Sequence, residues 1–294
     1  MMEELAVKIE HLNYSFGSHE VLKEMSFNLE VNKIYGLLGR NGAGKTTLIN
    51  LLVNQLIARE GSIQIFGEDP RKNPAILKKV CIAREAEFYA PYMKGKAILQ
   101  LYSQFYEGYD KQLEQKLVAF FDIPVDIAYR KYSRGMKSLL FMIVALCSKA
   151  PLTILDEPTL GMDAPNREQF YKILLDEYVK EPRTFMISTH LINEIENLLE
   201  EVIIIDQGER LLQEEVESLK SKAIYLSGNK EELERLTALK MAKPKESFGK
   251  SATYAYIGEL DELDQKLIQS THIEISPMSI QQIFVELTKG KEYE

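Results

Sequence analysis

Several features that would place the chain in a special class of protein are missing from its sequence. It contains no tryptophan, and its two cysteines, Cys81 and Cys147, have neither the spacing of a metal site nor a pairing pattern. Both cysteines lie in apolar segments, so we interpret them as small core residues of a protein in a reducing cytosol. The cysteines therefore give no indication of a disulfide framework or a cysteine metal site.

Long apolar runs and an excess of positive charge are also missing. The longest apolar run, Leu139–Cys147, is far shorter than the roughly 18 residues that a membrane span needs. The first segment, MMEELAVKIE, is acidic and lacks the apolar stretch of a signal peptide. The formal net charge is −8, so no overall basic field favours nucleic acid or an anionic membrane. The length of 294 residues suits one large domain and a smaller one.

The apolar pattern predicts an α/β fold. The segments LAVKIEHL and SFNLEV alternate as strands do, and KIYGLLG is a continuous apolar run that is typical of a buried strand. Between residues 91 and 147 the pattern is mainly helical, and after it short strands alternate with helices as far as EVIIID. This alternation predicts a mainly parallel sheet covered on both faces, with the helical stretch inserted as a lobe between two of its strands.

The composition changes near residue 215, where a polar and charged stretch begins. The remaining segments follow the order strand, helix, two strands, helix, strand, helix, which is similar to a split β-α-β, ferredoxin-like module. We therefore predict a first domain over residues 1–220, with its helical lobe at about 87–150, and an accessory α+β domain over residues 221–294.

The segment GRNGAGKTT fits the phosphate-binding pattern G-x-x-x-x-G-K-[ST] and stands between a predicted strand and a predicted helix. Backbone N–H groups of such a loop, together with the positive end of the helix, bind phosphate. The alternative is a glycine-rich turn with a chance lysine, which the strand–loop–helix context makes the weaker interpretation. The residues that we expect to bind a nucleotide here are Gly39, Asn41, Gly42, Ala43, Gly44, Lys45, Thr46 and Thr47.

The segment LTILDEP predicts a buried strand that ends in two acids, Asp156 and Glu157. Acids at the carboxyl end of a parallel strand face the ligand crevice of an α/β sheet. Asp156 is a candidate for holding Mg²⁺ through water, and Glu157 for taking a proton from an attacking water molecule. The alternative is that the two acids merely cap a loop. The phosphate-binding loop in the same sequence disfavours this interpretation.

Between these two motifs stands YSRGM, in which Ser133 and Gly135 open a predicted helix just before the acidic strand. This stretch resembles the signature motif, usually LSGGQ, of the ATP-binding-cassette (ABC) ATPases. The other landmarks of that family also stand in the expected order along the chain. They are an aromatic-glycine step at Phe16, TLGMD ending at Asp163, and ISTH ending at His190. The resemblance covers roughly residues 1–214. Within the family, YSRGMK and IQQIFVELT are most similar to subunits of bacterial bacitracin-resistance and lantibiotic-immunity exporters.

The resemblance implies a fold, two cofactors and several residue roles. The fold is a P-loop NTPase cassette with a mainly parallel sheet core, an antiparallel β subdomain and an inserted helical lobe, followed here by a small α+β module. The cofactors are ATP and Mg²⁺. Phe16 would stack on adenine, and Asp163 would lie in the D-loop. Ser133 and Gly135 would bind the phosphate held by a second subunit, although Ser133 can also be a plain helix cap.

The catalytic residues implied are Lys45, Glu157 and His190, although a lone histidine at a strand end is more often structural. The metal ligands implied are Thr46, Asp156 and Glu85. Here the chain departs from the family, because no glutamine stands where the Q-loop glutamine is expected. Glu85 is the best match and Glu87 the alternative. Arg134 stands where the family commonly has glycine, and it either adds a cation near phosphate or faces solvent.

We therefore predict an ATP-hydrolysing subunit of a membrane exporter, located at the cytoplasmic face of a bacterial membrane. It would dimerise with itself or with a paralogue around two Mg-ATP and drive separate transmembrane permease proteins. Tyr89, Tyr92 and Tyr102, in a lobe surface of residues 87–130, are candidates for docking to the permease, with ordinary half-buried packing as an equal alternative. The rival functions are a soluble non-transport ABC ATPase and a nucleotide-dependent regulatory subunit. The acidic balance and the single cassette disfavour the first, and the intact catalytic residues disfavour the second.

Overall fold

A computed structural model of the chain describes residues 4–84, 91–240, 242 and 244–289. The chain divides into two compact units, residues 1–213 and 214–294. Each unit has its own cluster of buried apolar side chains. The domain border predicted after residue 220 falls inside a helix, Val216–Lys222, of the second unit.

The first unit alternates strands and helices along most of its length. In chain order its elements are β1 (Leu5–Phe16), β2 (His19–Glu30), β3 (Ile34–Gly39), α1 (Lys45–Leu52), β4 (Glu60–Ile65), β5 (Val80–Arg84), α2 (Gly95–Phe105), α3 (Lys111–Phe120), α4 (Arg134–Cys147), β6 (Leu152–Asp156), α5 (Ala164–Lys180), β7 (Thr184–Ser188), α6 (Ile192–Ile195), β8 (Glu201–Asp206) and β9 (Glu209–Glu215).

A six-stranded sheet with the order β5-β6-β7-β3-β8-β9 forms the centre of this unit. The strands β5, β6, β7, β3 and β8 pair in parallel. Every residue of β3, β6 and β7 is buried, as expected for parallel strands covered on both faces. The predicted sheet core is confirmed, and the carboxyl ends of β3, β6 and β7 carry the phosphate-binding loop, the acids and the histidine segment.

A second, antiparallel sheet has the order β2-β1-β4. The predicted alternation in β1 holds at Val7 and Ile9, which are buried. A register shift between Ile9 and Leu12, with His11 at φ 45, then moves the buried positions by one residue. The hairpin of β1 and β2 ends in a two-residue connection, Gly17 and Ser18.

The helical lobe is also confirmed. The helices α2, α3 and α4 lie between β5 and β6, which are neighbours in the sheet. In α4 every residue from Ser138 to Cys147 is buried, because this helix packs against α2, α3, α5 and both strands. Cys81 and Cys147 are buried and unpaired, as predicted.

The second unit is a small α+β module. Its elements are α7 (Val216–Lys222), β10 (Ala223–Asn229), α8 (Lys230–Leu233), β11 (Glu246–Phe248), β12 (Ser251–Ile257), α9 (Glu262–Ser270), β13 (Glu274–Pro277) and α10 (Ile280–Leu287). The strand order is β11-β12-β10-β13, and each neighbouring pair is antiparallel.

The helix predicted over NKEELERLTAL is shorter in the structure than the sequence suggests. It ends as α8 at Leu233, and the chain then turns through Thr237–Leu239. The carboxylate of Asp264 on α9 accepts the backbone N–H groups of Thr237 and Ala238, each at 2.8 Å. These bonds from a distant helix replace intrahelical ones, so the turn is decided by tertiary contact.

Within the described ranges, no helix has both the length and the apolar composition that crossing a bilayer requires.

Candidate nucleotide site

The loop between β3 and α1 has the shape that its glycines allow. Gly42 and Gly44 have φ values of +84° and +104°, which favour glycine. A Cβ on Gly44 would lie 2.7 Å from a methyl carbon of Leu22, so this position has no room for a side chain. Gly44 is also the residue that precedes α1, so the first N–H groups of the helix face the loop.

Lys45 extends into the centre of this loop. It is 8% exposed, and its Nζ donates to the backbone oxygens of Gly39 at 2.5 Å and Arg40 at 3.3 Å. Burial lowers the pKa of Lys45, while the negative charges of Glu157 and Asp156 oppose this change. The ammonium group is thus held by two backbone oxygens of the loop, where it can contact a bound anion.

The two acids follow directly at the end of β6. Asp156 is the last residue of the strand and is 7% exposed. Burial raises the pKa of its carboxyl group, while the positive charges of Arg84 and Lys45 lower it. Glu157 has φ +49° and its N–H donates to the oxygen of Ser188 at 2.8 Å. This bond ties the turn after β6 to the end of β7.

The histidine segment after β7 meets Glu157. Nδ1 of His190 lies 2.8 Å from Oε2 of Glu157, and the hydroxyl of Thr189 donates to the same oxygen at 3.4 Å. Since an ionised carboxylate only accepts, the imidazole donates through Nδ1. The side chain of His190 is half exposed, so its other ring nitrogen is available to a ligand or water.

The phosphate-binding loop and the two acids border one open cleft of about 390 Å³. Its lining residues are His19, Val21, Arg40, Asn41, Gly42, Gly44, Lys45, Thr46, Thr47, Asp156 and Glu157. The cleft therefore brings together the phosphate-binding loop and the acidic strand end, which are more than 100 residues apart in sequence.

The donor atoms in the cleft suit Mg²⁺. The exposed hydroxyl of Thr46 and the buried carboxylate of Asp156 both line it. Mg²⁺ takes oxygen ligands, keeps several waters and is usually bound through one or two carboxylates plus substrate phosphates. In the part of the chain that the structure describes, no group of three or more His, Cys, Asp or Glu residues could hold a metal ion. Glu85 and Glu87 lie outside the described residues.

Seven described residues of the predicted site do not line this cleft: Phe16, Gly39, Ala43, Ser133, Gly135, Asp163 and His190. Gly39 and Ala43 nevertheless belong to the phosphate-binding loop, and His190 contacts Glu157. Phe16 ends β1 with 53% of its surface exposed, and its ring meets that of Tyr14 edge to face at 5.0 Å. It faces His19 across the hairpin.

Ser133 and Gly135 open α4, as the sequence predicts. The Oγ of Ser133 accepts the N–H of Met136 at 3.2 Å, so the serine caps the helix. A Cβ on Gly135 would lie 2.6 Å from the oxygen of Gly161. The hydroxyl of Ser138 donates to the oxygen of Leu160 at 2.8 Å. The start of α4 is therefore packed directly on the segment 160–162.

Asp163 caps the helix that follows, because its carboxylate accepts the N–H of Asn166 at 2.9 Å. Arg134 is exposed, yet its aliphatic carbons lie against Gly161: a Cβ on that glycine would be 2.8 Å from Cγ of Arg134.

The structure also shows residues that the sequence did not indicate. His19, Val21 and Arg40 line the cleft. Arg84, at the end of β5, donates to the side-chain oxygens of Asn50 and Gln55, each at 2.5 Å. For His19 the signal was its place just after the Phe16-Gly17 step, whereas Arg84 had no signal because its partners are brought near by folding.

The candidate docking tyrosines differ in their surroundings. Tyr92 is 71% exposed, with the guanidinium of Arg130 over its ring at 4.5 Å. Tyr102 packs against Tyr106 and Phe141, and burial raises its pKa to about 12. Tyr102 is therefore a packing residue. Tyr89 lies outside the described residues.

Known proteins similar to this chain are ATP-binding proteins of transporters. The family model described as ABC transporter matches residues 22–160. Bacitracin transport ATP-binding protein BcrA of Bacillus licheniformis is 31% identical over 211 residues, which cover 71% of this chain and 69% of that protein. Lantibiotic transport ATP-binding protein SrtF of Streptococcus pyogenes is 30% identical over 223 residues, which cover 71% of this chain and 90% of that protein.

The solved structure of an ATP-binding subunit of an ABC transporter superposes on the chain with a TM-score of 0.66 and 21% identity. The superposition covers 74% of this chain and 92% of that one. At this identity the likeness concerns the fold alone. The region matched by the family model contains the phosphate-binding loop, the start of α4 and both acids.

Proposed function

The chain belongs to the ABC transporter family of ATP-binding proteins, which hydrolyse ATP to power transport, and on this premise we propose how its own residues do so. The observation that carries the proposal is the cleft shared by Lys45, Thr46, Asp156 and Glu157. It combines a cation, a hydroxyl and two acids beside a helix N-terminus. These are the groups that phosphoryl transfer uses for positioning and charge stabilisation.

In this proposal the loop of Gly39–Thr47 binds the phosphates of ATP. Backbone N–H groups face the anion, and the buried ammonium of Lys45 leaves the oxygens of Gly39 and Arg40 to contact the β- and γ-phosphates. Thr46 and Asp156 hold Mg²⁺, which when bound neutralises charge on the phosphate oxygens. The assignment of Glu85 as a further ligand remains a prediction from the sequence.

Glu157 is proposed as the base that accepts a proton from the attacking water. The hydrogen bonds from His190 and Thr189 to its Oε2 leave Oε1 for that water and fix the direction of the carboxylate. General bases typically contribute about 10²–10⁴-fold to a rate. The half-exposed His190 is placed to contact the γ-phosphate from the same side.

We further propose that Ser133 and Gly135 bind the nucleotide of a second subunit. Both lie outside the cleft of their own chain. Ser133 is exposed at the N-terminus of the 14-residue helix α4, and such a helix start favours anions. Two chains that face each other would each complete the other's site.

A mixing experiment tests this shared site. Lys45→Ala and Ser133→Arg are prepared separately, each with Glu157→Gln so that bound ATP is retained. In either homodimer, both nucleotide sites then carry a lesion. A mixed dimer has one site with both lesions and one site with an intact Lys45 and an intact Ser133. We expect about one occluded ATP per mixed dimer. No gain in occlusion on mixing, with mixed dimers present, would refute the shared site.

The chain is also proposed to act as the peripheral ATPase subunit of an exporter, at the cytoplasmic face of a bacterial membrane. Support comes from the motif resemblance to exporter subunits and from the relatives named for bacitracin and lantibiotic transport. The exposed side chains Tyr92, Leu101 and Phe105 on the helical lobe offer an apolar surface for a permease.

Coexpression with a permease encoded by a neighbouring gene tests the docking. We expect the chain to sediment with membranes when the permease is present, and Tyr92→Ala combined with Phe105→Ala to weaken this. Phe248→Ala in the second unit, where Phe248 is 92% exposed, is the matched control. Equal membrane binding of all three proteins would exclude the lobe surface as the docking site.

A further inference from the structure

The strand β2 supplies one wall of the nucleotide cleft. His19 and Val21, both residues of β2, line the cleft. The wall lies close to the phosphate-binding loop, because a Cβ on Gly44 would be 3.2 Å from the backbone oxygen of Val21. His19 therefore belongs to the same cleft as the start of α1.

His19 is also linked to the predicted adenine platform. It pairs with Phe16 across the hairpin of β1 and β2. Residues directly opposite each other in an antiparallel pair have their side chains on the same face, with Cβ atoms about 4.5–5.5 Å apart. Phe16 is more than half exposed and does not itself line the described cleft. His19 thus neighbours Phe16 across the hairpin and also lines the cleft of the loop that contains Lys45.

The part of ATP that lies between its base and its phosphates is the ribose, which carries two hydroxyl groups. A neutral imidazole has one N–H donor and one nitrogen acceptor, and a hydroxyl both donates and accepts. His19 lies on the exposed rim of the cleft, so its ring can reach a ligand without losing a partner inside the protein. No ion pair or hydrogen bond of the His19 side chain is found among the described residues.

We propose that His19 hydrogen-bonds a ribose hydroxyl of the bound nucleotide and thereby makes the site selective for ribonucleotides. The inference rests on the proposed function, because it places the phosphates in the loop and the base at Phe16. It adds a specificity that neither stacking on Phe16 nor phosphate binding provides, since deoxynucleotides have the same base and phosphates.

The test compares binding of ADP, 2′-deoxy-ADP and 3′-deoxy-ADP, since these nucleotides are not hydrolysed. Titration calorimetry of the full chain measures the three affinities for the unchanged protein, for His19→Ala and for His11→Ala. His11 is the matched control, because it is an exposed histidine of the same hairpin whose Nδ1 is 2.8 Å from Glu24. It does not line the nucleotide cleft.

We expect the unchanged protein and His11→Ala to bind ADP about 3- to 10-fold more tightly than at least one deoxynucleotide, which is the effect of a single hydrogen bond. His19→Ala should lower ADP affinity to the deoxynucleotide level and leave that deoxynucleotide's affinity unchanged. Equal loss for all three nucleotides, or no loss for ADP, would overturn the assignment of His19. Absence of ADP binding by the unchanged protein would instead overturn the proposed function.

Discussion

Two charged side chains in the cleft are buried, although removal from water disfavours a charge. Lys45 and Asp156 are both more than nine-tenths buried, and burial shifts the pKa of each toward its neutral form. The opposite charge of the other residue partly reverses each of these pKa shifts. A buried charge without a partner costs several kcal/mol, so we expect either residue to need the other, or a ligand, to remain ionised at low cost.

Glu157 is the residue whose replacement separates binding from hydrolysis. Glu157→Gln preserves the shape of the side chain and removes its basicity. We expect ATP hydrolysis to fall by about 10²–10⁴-fold while ATP binding remains, as measured by phosphate release and by calorimetry. Glu168→Gln, an exposed position on α5, is the control and should hydrolyse normally. A Glu157→Gln protein with normal turnover would remove this residue from the mechanism.

At the scale of elements, the start of α4 and the segment 159–163 form one packed unit. Gly135 and Gly161 allow close approach, the hydroxyl of Ser138 bonds Leu160, and Thr159 is 3.3 Å from the hydroxyl of Tyr171 on α5. Glu157 lies two residues before this segment, so a chain of short contacts connects the acid to the helix that carries Ser133.

Gly135→Ala tests this packing. The added Cβ would meet the oxygen of Gly161 at 2.6 Å, which forces the start of α4 away from the segment. A misplacement of about 1 Å at a site can cost roughly 10²-fold in rate, so we expect ATPase activity to fall by about 10- to 100-fold. The affinity of the monomeric chain for nucleotide should not change. Gly108→Ala is the control, because its Cβ would have its nearest neighbour at 3.6 Å; similar activity of both variants would argue against the packed unit.

The one-turn helix α6 begins two residues after His190 and depends on contacts with α5. Arg167 and Glu194 form an ion pair at 3.2 Å, with side chains 28% and 30% exposed. We expect Arg167→Glu or Glu194→Arg alone to lower the ATPase kcat a few-fold, without a change in KM, by displacing the histidine segment. The two changes together should restore part of the rate, since a pair of this kind contributes about 0.2–1 kcal/mol.

Steady-state ATPase assays of the three variants measure this coupling. The control is the exposed pair Lys266 and Glu262 on α9, reversed in the same way, which should leave the rate unchanged. A double variant that is as slow as the slower single variant would show that the ion pair does not position α6.

At the scale of the whole molecule, the chain has two units with separate cores. All the residues proposed to bind or hydrolyse ATP lie in the first unit. The second unit contains none of these residues, and that it regulates or braces a dimer is a prediction from the sequence.

A shortened chain that ends at Glu215, so that β9 stays complete, tests the independence of the first unit. We expect it to unfold cooperatively and to bind Mg-ATP with an affinity within about threefold of the full chain, because no cleft residue is removed. Circular dichroism and calorimetry measure the two properties. A folded fragment that has lost ATP binding would mean that the second unit is part of the site.

Sequence patterns were sufficient to predict the phosphate-binding loop, the acidic strand end, the helix start at Ser133 and the mainly parallel sheet. These features depend on local pattern: glycines where φ is positive, apolar runs for buried strands, and a serine where a helix needs a cap. The order of the motifs along the chain was sufficient to identify the family.

Tertiary structure alone decided which distant groups meet. The pairing of β6 with β7 brings Glu157 to His190, the hairpin brings His19 to the loop of Lys45, and the sheet brings Arg84 to Asn50 and Gln55. Likewise, Asp264 ends the helix predicted after Asn229 by taking its N–H groups. Such contacts join residues with no pattern in common along the chain, so they follow from the packing of elements and not from local propensity.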